Sequence, residues 1–397
     1  MITYSFYESD NRVLRYAEAL AHRGDDVHVL AVRRRPDMPL EELVNGVHVH
    51  RVQDRFGKTE RTKLGFLWPL LRFLVTCASR VRREHRKAPF DLLHVHNIPD
   101  FLVFAARPAR ARGAKVILDI HDLVPEFFGS KFATGGRSFL VSCLEIAERA
   151  SAAMADHVIL ANPLWVDRYA ARSARAEKCS VFINYVDADV FRTRPIAPAG
   201  RAPVILFPGG LQWHQGVDIA IRAFATVRDA IPGAQFHIYG DGAMKAELVA
   251  LAGELGLGES VRFFEPLGLR EIAAVMAQCD LAVVPKRADS FGNEAFSTKI
   301  LEFMAVGVPL VISATKIDRY YFDDSVVRFF ESGNADDLAQ KMLEVLNDAE
   351  LRTRMVRESS RFVAQHSWQR HRASYLDLVD ALVSGAAVPR AAVGGAS

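Results

Sequence analysis

The stretch SFGNEAFSTKILEFMAVGVP, Ser290 to Pro309, sets two carboxylates and an amine where charge is costly. The pattern predicts a polar loop and then a helix that is apolar nearly all round, through Ile300, Leu301, Phe303, Met304, Ala305 and Val306. Gly307 stops that helix, and Pro309 leads into the strand-like LVIS. Glu302 lies in the middle of the helix and Glu294 in the loop before it. Taking such a charge out of water costs several kcal/mol unless a partner meets it. The partner is another side chain, such as Lys299 one helical turn from Glu302, or a ligand. Ser297, Thr298 and Lys299 open the helix. A helix N-terminus offers free N–H groups and a partial positive charge, which suit a diphosphate. A plain Ser or Thr cap is the ordinary alternative, and one residue can serve both purposes.

Other chemistry-bearing residues stand at strand ends. His121 closes ILDIH, and ligand sites in doubly wound sheets lie at the carboxyl ends of strands. Asp122 and Glu126 follow it, where they could orient it or line an acceptor site. His94 and His96 also end a strand and read as structural. Asp10, Asn11 and Arg12 fall in the first strand-to-helix loop. Arg12 is there either to bind an anionic acceptor or a phosphate, or as a solvated residue beside an Asp/Asn helix cap. In YGDG, Tyr239 to Gly242, Gly240 lets the backbone approach a ligand. This is no dinucleotide fingerprint, because Lys245 stands where GxGxxG needs its last glycine.

The elements that must position these residues are legible from the apolar pattern. ITYSF, DVHVLAV, GVHVHRV, DLLHVH, KVILDIH, DHVILA and KCSVFIN read as strands, most of them separated by helices. The first helix is NRVLRYAEALAHRG, with Gly24 as its C-cap. RTRPIAPAGRAP, Arg192 to Pro203, breaks the pattern and reads as a linker. A second series follows: VILFPGG, QFHIYGDG, VRFFEP, LAVVPK, PLVIS and VVRFF. Alternation of this kind predicts an α/β fold of two doubly wound parallel sheets. The expected organisation is a first Rossmann-like domain over 1–191, a linker over 192–203 and a second such domain over 204–366. A last helix over 367–384 and a disordered tail over 385–397 complete it.

A chain of 397 residues is too long for one core. Its net charge of +3 gives no case for a nucleic-acid partner. The four cysteines are scattered and imply reduced thiols, not a disulfide framework or a metal site. No signal peptide is apparent, so a cytoplasmic location is expected. The chain opens almost inside a strand, which suggests a true start further upstream. Val52 to Lys87 is rich in Arg and Lys around LGFLWPLLRFLVTCA, a run too short to span a bilayer. Two readings stand: a packing helix with a solvated basic end, or a basic amphipathic surface that docks on anionic lipid at the inner face of the plasma membrane.

Glu294-x7-Glu302 resembles the EX7E motif of retaining GT-B glycosyltransferases, family 4 (group 1) in particular. Other segments agree in order: NRVLRYAEALAHRGDDVHVL, DIHDLVPE, VFINYVDADVF, FPGGLQWHQGVDIAIRAF and IYGDG. The resemblance reaches to about Val383. It implies a GT-B fold, two Rossmann-like domains facing across a cleft, with the last helix crossing back to the first domain. It implies that Glu302 accepts hydrogen bonds from nucleotide ribose hydroxyls, and that Glu294 and His121 act at the transferred sugar. In the family an arginine and a lysine neutralise the leaving diphosphate; here those positions are Gly210 and Gln215. A diphosphate leaving group needs cationic or N–H stabilisation. Lys286 and Arg287, in VVPKRADSFG, could supply it from an adjacent strand end, Lys299 and the helix N-terminus could suffice, or the enzyme is weak or inactive. The first two together are the favoured answer.

The function expected is retaining transfer of a sugar from a nucleotide-sugar, a UDP- or GDP-sugar, to a saccharide or lipid-linked acceptor in surface polysaccharide biosynthesis. No cofactor is expected, since the nucleotide-sugar is a substrate. No DxD-type cluster is placed for a catalytic metal, and the resemblance implies work without one. A GT-B nucleotide-sugar epimerase and a non-catalytic nucleotide-sugar-binding protein are the alternatives.

Overall fold

The computed structural model describes residues 1–55, 63–131, 139–193, 201–289 and 292–388. Most of the linker, the end of the tail, Ser290 and Phe291, and part of the basic segment therefore lie outside the described residues. The chain divides into two compact units, Met1–Asn184 joined by the chain from His371, and Tyr185–Arg370. The division falls ahead of the expected boundary at 191, because Tyr185 onward already belongs with the second unit. Val186 bridges to Ser367 there, and its carbonyl accepts the Trp368 N–H at 2.9 Å.

The first unit holds β1 (Val27–Arg33), β2 (Glu41–Val44), β3 (Val47–Asp54), β4 (Leu92–His96), β5 (Lys115–Ile120), β6 (His157–Leu160) and β7 (Cys179–Val181). The strands β4, β5, β6 and β7 pair in that order, all parallel, and β1 pairs parallel to β3. Ile2 bridges to Leu30 and to Val95, so the start of the chain ties the two groups together. Strands β5 and β6 are buried almost throughout, as parallel strands covered on both faces must be. One strand departs from the parallel expectation: β2 runs antiparallel to β3. Asn45 and Gly46 join them at φ 48° and 82°, a two-residue turn that only such residues adopt readily. The first helix, Asn11–Arg23, begins where the Asp10 carboxylate accepts the Val13 N–H and ends at Gly24 with φ 102°. The long helix Lys63–Lys87 buries Leu70, Phe73, Cys77 and Val81 and leaves Trp68, Leu71 and Val75 exposed.

The second unit is one parallel sheet of β8 (Val204–Pro208), β9 (Gln235–Tyr239), β10 (Val261–Phe264), β11 (Leu281–Val284), β12 (Leu310–Ser313) and β13 (Arg328–Phe330). The order across it is β10-β9-β8-β11-β12-β13. Chain direction across the sheet reverses between β8 and β11, the switch point where doubly wound sheets bind ligands. The helix Thr298–Val306 buries Ile300, Leu301, Phe303 and Met304 completely and stops at Gly307, φ 80°.

The last helix, Trp368–Ser384, starts with the second unit and continues with the first. In the first unit Tyr375 is fully buried, stacks on Tyr16 at 4.2 Å and shares a 2.9 Å hydrogen bond with His94 Nδ1. Beside it Arg12 Nε and Nη2 donate to the two oxygens of Asp119, both at 2.7 Å, with the carboxylate wholly buried. Burial pushes the Asp119 carboxyl up, but Arg12 foremost, then His121 and His94, hold it well below the usual range. The pair's contribution is thus complete above about pH 4 and is lost as pH falls through the lower folded-state value. Arg12→Met strands the carboxylate, and the midpoint of urea unfolding at neutral pH should report a loss of about 3–5 kcal/mol. Arg12→Met combined with Asp119→Leu should recover much of it; a double variant as weak as the single one would contradict this account.

Candidate functional site

In the second unit, a cavity of about 430 Å³ opens at the carboxyl ends of β8 and β9. Its walls include Gly209, Gly210, Gly240, Thr298, Lys299 and Glu302, with Pro266, Leu267, Ile272 and Met276 on the apolar side. Glu302 answers the question its sequence raised. Glu302 lines this cavity, while its neighbours Leu301 and Phe303 in the helix Thr298–Val306 are wholly buried. Ser297 occupies the cap position, but its hydroxyl makes no cap bond and is buried without a partner. The N-terminus of the helix thus stands on the cavity wall at Thr298 and Lys299, without a side-chain cap.

Lys299 is the cation on this wall. Its Nζ donates to Gln215 Oε1 at 3.0 Å and stands 5.1 Å from the centre of the Phe207 ring. Desolvation lowers the Lys299 amine to about 8; Glu302 pushes the other way and Lys286 adds to the lowering. Gln215 therefore does not neutralise charge but orients the residue that does. Gly209 is required by its backbone, φ 139°, and a Cβ there would also push the end of the Lys299 side chain, 2.7 Å away, out of place. Gly240 has a steric reason: a Cβ would lie 1.9 Å from the Gly209 carbonyl oxygen. Its smallness lets two loops of the cavity wall pack together, which is a different need from the ligand approach expected of it.

The expectation for Lys286 and Arg287 is corrected. Lys286 is buried, donates to the Ala295 carbonyl at 2.6 Å and pairs with Asp318 at 2.9 Å. Arg287 donates both Nη groups to Asp218, at 2.8 and 2.7 Å, and lies 4.5 Å over the Trp213 ring. Each cation is already matched by a carboxylate, so neither is on offer to a diphosphate. Glu294 is not on the cavity wall. Its carboxylate is 3.3 Å from Lys316 Nζ and its side chain only 15% exposed. Asn293 ties this loop to the helix Lys316–Tyr321, its Oδ1 accepting the Lys316 N–H at 2.7 Å.

In the first unit the expected residues separate. His121 Nε2 is 3.4 Å from Asp119 Oδ2 and 3.2 Å from His96 Nδ1, and its ring is part exposed. Asp10 belongs to the same group. Burial pushes its carboxyl up, but His121 and His96, then Ser5 and the Val13 N–H, hold it below the ordinary value. Asn11 opens the first helix beside it. Asp122 sits next to His121, with burial raising it to about 6 against the pull of that histidine. Arg12 is corrected: it is 4% exposed and committed to Asp119 and to Asn184 Oδ1 at 3.1 Å, so it holds the group together and does not reach an acceptor. Glu126 is corrected as well, since Arg172 binds it at 2.8 Å and binds Glu148 at 2.7 Å. Asp119 was missed, although an aspartate inside the apolar strand ILDIH is itself the signal of a buried partner. His94 and His96 are more than packing, because both approach Asp119, at 3.6 and 3.1 Å.

The chain matches two family models, the glycosyl transferases group 1 over residues 192–362 and a glycosyl transferase 4-like domain over residues 9–184. Among curated proteins it is 26% identical to D-inositol 3-phosphate glycosyltransferase of Salinispora tropica, over 92% of this chain and 79% of that one. It is also 26% identical to phosphatidyl-myo-inositol mannosyltransferase of Mycobacterium leprae, over 90% and 88%. Sucrose-phosphate synthase of Thermosynechococcus elongatus superposes with a TM-score of 0.79 at 19% identity, over 97% of this chain and 98% of that one. HepE of Anabaena, solved with UDP and glucose, gives 0.72 at 18% identity, over 96% and 98%. The two parallel-sheet units thus have the two-domain Rossmann-like GT-B fold, and the chain belongs to the group 1, GT4-type glycosyltransferases.

Proposed function

We propose that this glycosyltransferase moves a sugar, with retention of anomeric configuration, from a UDP- or GDP-sugar to a saccharide or lipid-linked saccharide acceptor in surface polysaccharide assembly. The observation that carries the donor half is the cavity at β8 and β9 with Glu302, Lys299 and a helix N-terminus on one wall. Glu302 accepts from the ribose hydroxyls. Lys299, Thr298 and the helix N–H groups meet the diphosphate. The apolar wall of Pro266, Leu267 and Ile272 suits a base. HepE of Anabaena, solved with UDP and glucose, supports a nucleotide-sugar as the donor class. In the step itself the bond from the sugar's anomeric carbon to the phosphate oxygen breaks. A bond to the acceptor hydroxyl oxygen forms on the same face, and the acceptor's proton passes to the leaving phosphate. His121, held by Asp119 and His96, and Glu294 act at the transferred sugar.

Thermal-shift and calorimetric panels of UDP-, GDP-, ADP- and dTDP-sugars test the donor site. One nucleotide should stabilise the protein, and Glu302→Ala should weaken it by one to two orders of magnitude, about 1.5–3 kcal/mol for hydrogen bonds to a charged group. Free nucleotide should then appear only when acceptor is present. Stabilisation by none of them would remove the reading.

The Lys299 amine carries its charge below about pH 8 and loses it above. Affinity for the free nucleoside diphosphate should therefore be highest near pH 7 and fall as pH rises through 8 to 9. Calorimetry across that range should show the fall in the parent protein and a flat, weaker profile in Lys299→Gln.

The lipid-linked acceptor rests on the exposed face of the helix Lys63–Lys87. Trp68, Leu71, Arg72, Val75, Arg82 and Arg86 recur along it at helical spacing, with Trp68 70% and Val75 63% exposed. Among the described residues no helix is long and apolar enough to cross a membrane. An apolar start followed by arginines instead suits peripheral contact with anionic lipid at the cytoplasmic face of the membrane. Sedimentation with phosphatidylglycerol vesicles should capture the protein, salt should release it, and Arg82→Glu with Arg86→Glu should cost about 1 kcal/mol per arginine or more. No capture at any salt would remove the membrane part alone.

A further inference from the structure

A third group of titratable side chains lies apart from both clusters, at the amino ends of β1 and β3. His121 follows the carboxyl end of β5, so this group is at the other end of the sheet. The parallel register pairs His28 directly with His48, and their rings stack at 4.8 Å. Asp26 precedes β1. Its Oδ1 is 3.1 Å from His28 Nε2 and 3.8 Å from His48 Nε2. All three ligand atoms lie within 4.8 Å of one another. A tetrahedral ion with bonds of about 2.0–2.1 Å keeps its ligand atoms roughly 3.4 Å apart. The two Asp26 separations straddle that value, and the stacked rings of His28 and His48 turn toward the carboxylate to converge on an ion.

A second observation points the same way. An imidazole that binds a metal through one nitrogen donates its other N–H to an acceptor, which orients the ring. His28 Nδ1 is 2.9 Å from His50 Nε2, and His50 Nδ1 is 3.3 Å from Glu41 Oε1. With an ion bound, a relay from His28 through His50 to Glu41 frees the Nε2 lone pair of His28, which stands 3.1 Å from Asp26 Oδ1. Arg80 Nη2 donates to the same Glu41 oxygen at 2.6 Å and holds that carboxylate in place. Without an ion the relay runs the other way: Arg80 Nη2, 3.1 Å from His50 Nδ1, donates to it, His50 Nε2–H donates to His28 Nδ1, and His28 Nε2–H to Asp26. Binding an ion replaces the Nε2 proton and turns both tautomers round.

We propose that Asp26, His28 and His48 form a binding site for one divalent transition-metal ion of the zinc class, with water completing its shell. Two imidazoles and one carboxylate favour zinc, cobalt, nickel or copper over magnesium or calcium. The ion pins the start of β1 to the start of β3. It has no part in the nucleotide cavity, which lies in the other unit. The cluster His94, His96 and Asp119 has the same composition but not the same capacity. Both Asp119 oxygens already accept from Arg12, whose charge repels a cation.

The test uses the full chain without an affinity tag, stripped with a chelator and titrated with Co²⁺ while its visible spectrum is followed. One equivalent should bind and give the ligand-field bands of a low-coordinate nitrogen–oxygen site. Zn²⁺ should displace it, an excess of Mg²⁺ should not, and Zn²⁺ should raise the melting temperature. Asp26 and His48 are well exposed, at 75% and 49%, so Asp26→Ala and His48→Ala keep the fold, and each should abolish the spectrum. Glu41→Gln, which touches no ion, should weaken Zn²⁺ about tenfold. Less than one equivalent, or binding that survives His48→Ala unchanged, overturns the site.

Discussion

Asp119 carries a full charge inside a sheet that buries both its faces, and the Arg12 guanidinium is what lets it stay there. The residues are 107 apart in sequence, so the pair also joins the first helix to the end of β5. Everything at that end of the first unit is arranged around the same carboxylate. His94, His96 and His121 all approach its Oδ2, and Tyr375 joins the group through His94. A histidine placed this way has a defined orientation before any ligand arrives, which is the pre-organisation that a positioned polar group requires. Since Tyr375 belongs to the last helix, the geometry of His121 depends on a segment at the far end of the chain.

The second unit handles charge differently. Lys286 and Arg287 point from the end of β11 but are satisfied inside the protein by Asp318 and Asp218. They brace the loops that follow β8, β11 and β12. Lys299 instead meets neutral Gln215 and lines a cavity. An internal carboxylate offsets the desolvation of the first two cations. The desolvation of Lys299 is only part offset, by Glu302, and shows as an amine lowered to about 8.

Much of this was legible in the sequence and some was not, for identifiable reasons. The helix Thr298–Val306 could be read residue by residue, because its apolar positions, its Gly307 stop and its polar entry are all local signals. The two parallel-sheet units followed from the alternation of Val- and Ile-rich runs with helices. The antiparallel β2 has a local signal as well, the Asn45-Gly46 pair that turns it into β3. What could not be read was partnership. Position at a strand's end suggested that Lys286 and Arg287 face a ligand, and nothing near them in sequence announces Asp318 or Asp218. The same holds for Arg12, whose loop suggested solvent and whose partner lies on another strand. Histidines that meet across β1 and β3 likewise appear as a cluster only once the register is known.

The diphosphate site proposed above, one desolvated lysine beside a helix N-terminus, differs in kind from one built from two permanent cations. Two solvated charges bind an anion at any ordinary pH and must be stripped of water when it arrives. A buried amine near neutrality has already lost most of its water, so the cost of desolvation was met when the chain folded. An arriving diphosphate favours the charged form of Lys299 and draws its proton equilibrium back toward the ordinary value. Part of the binding energy is thereby tied to proton uptake, and the electrostatic gain is realised in a site of low dielectric, where it is largest. The helix N–H groups add fixed dipoles that need no proton and no reorganisation. Replacing the expected arginine and lysine by Gly210 and Gln215 therefore leaves the site with positive potential of another origin, supplied by burial and by backbone geometry in place of added charge.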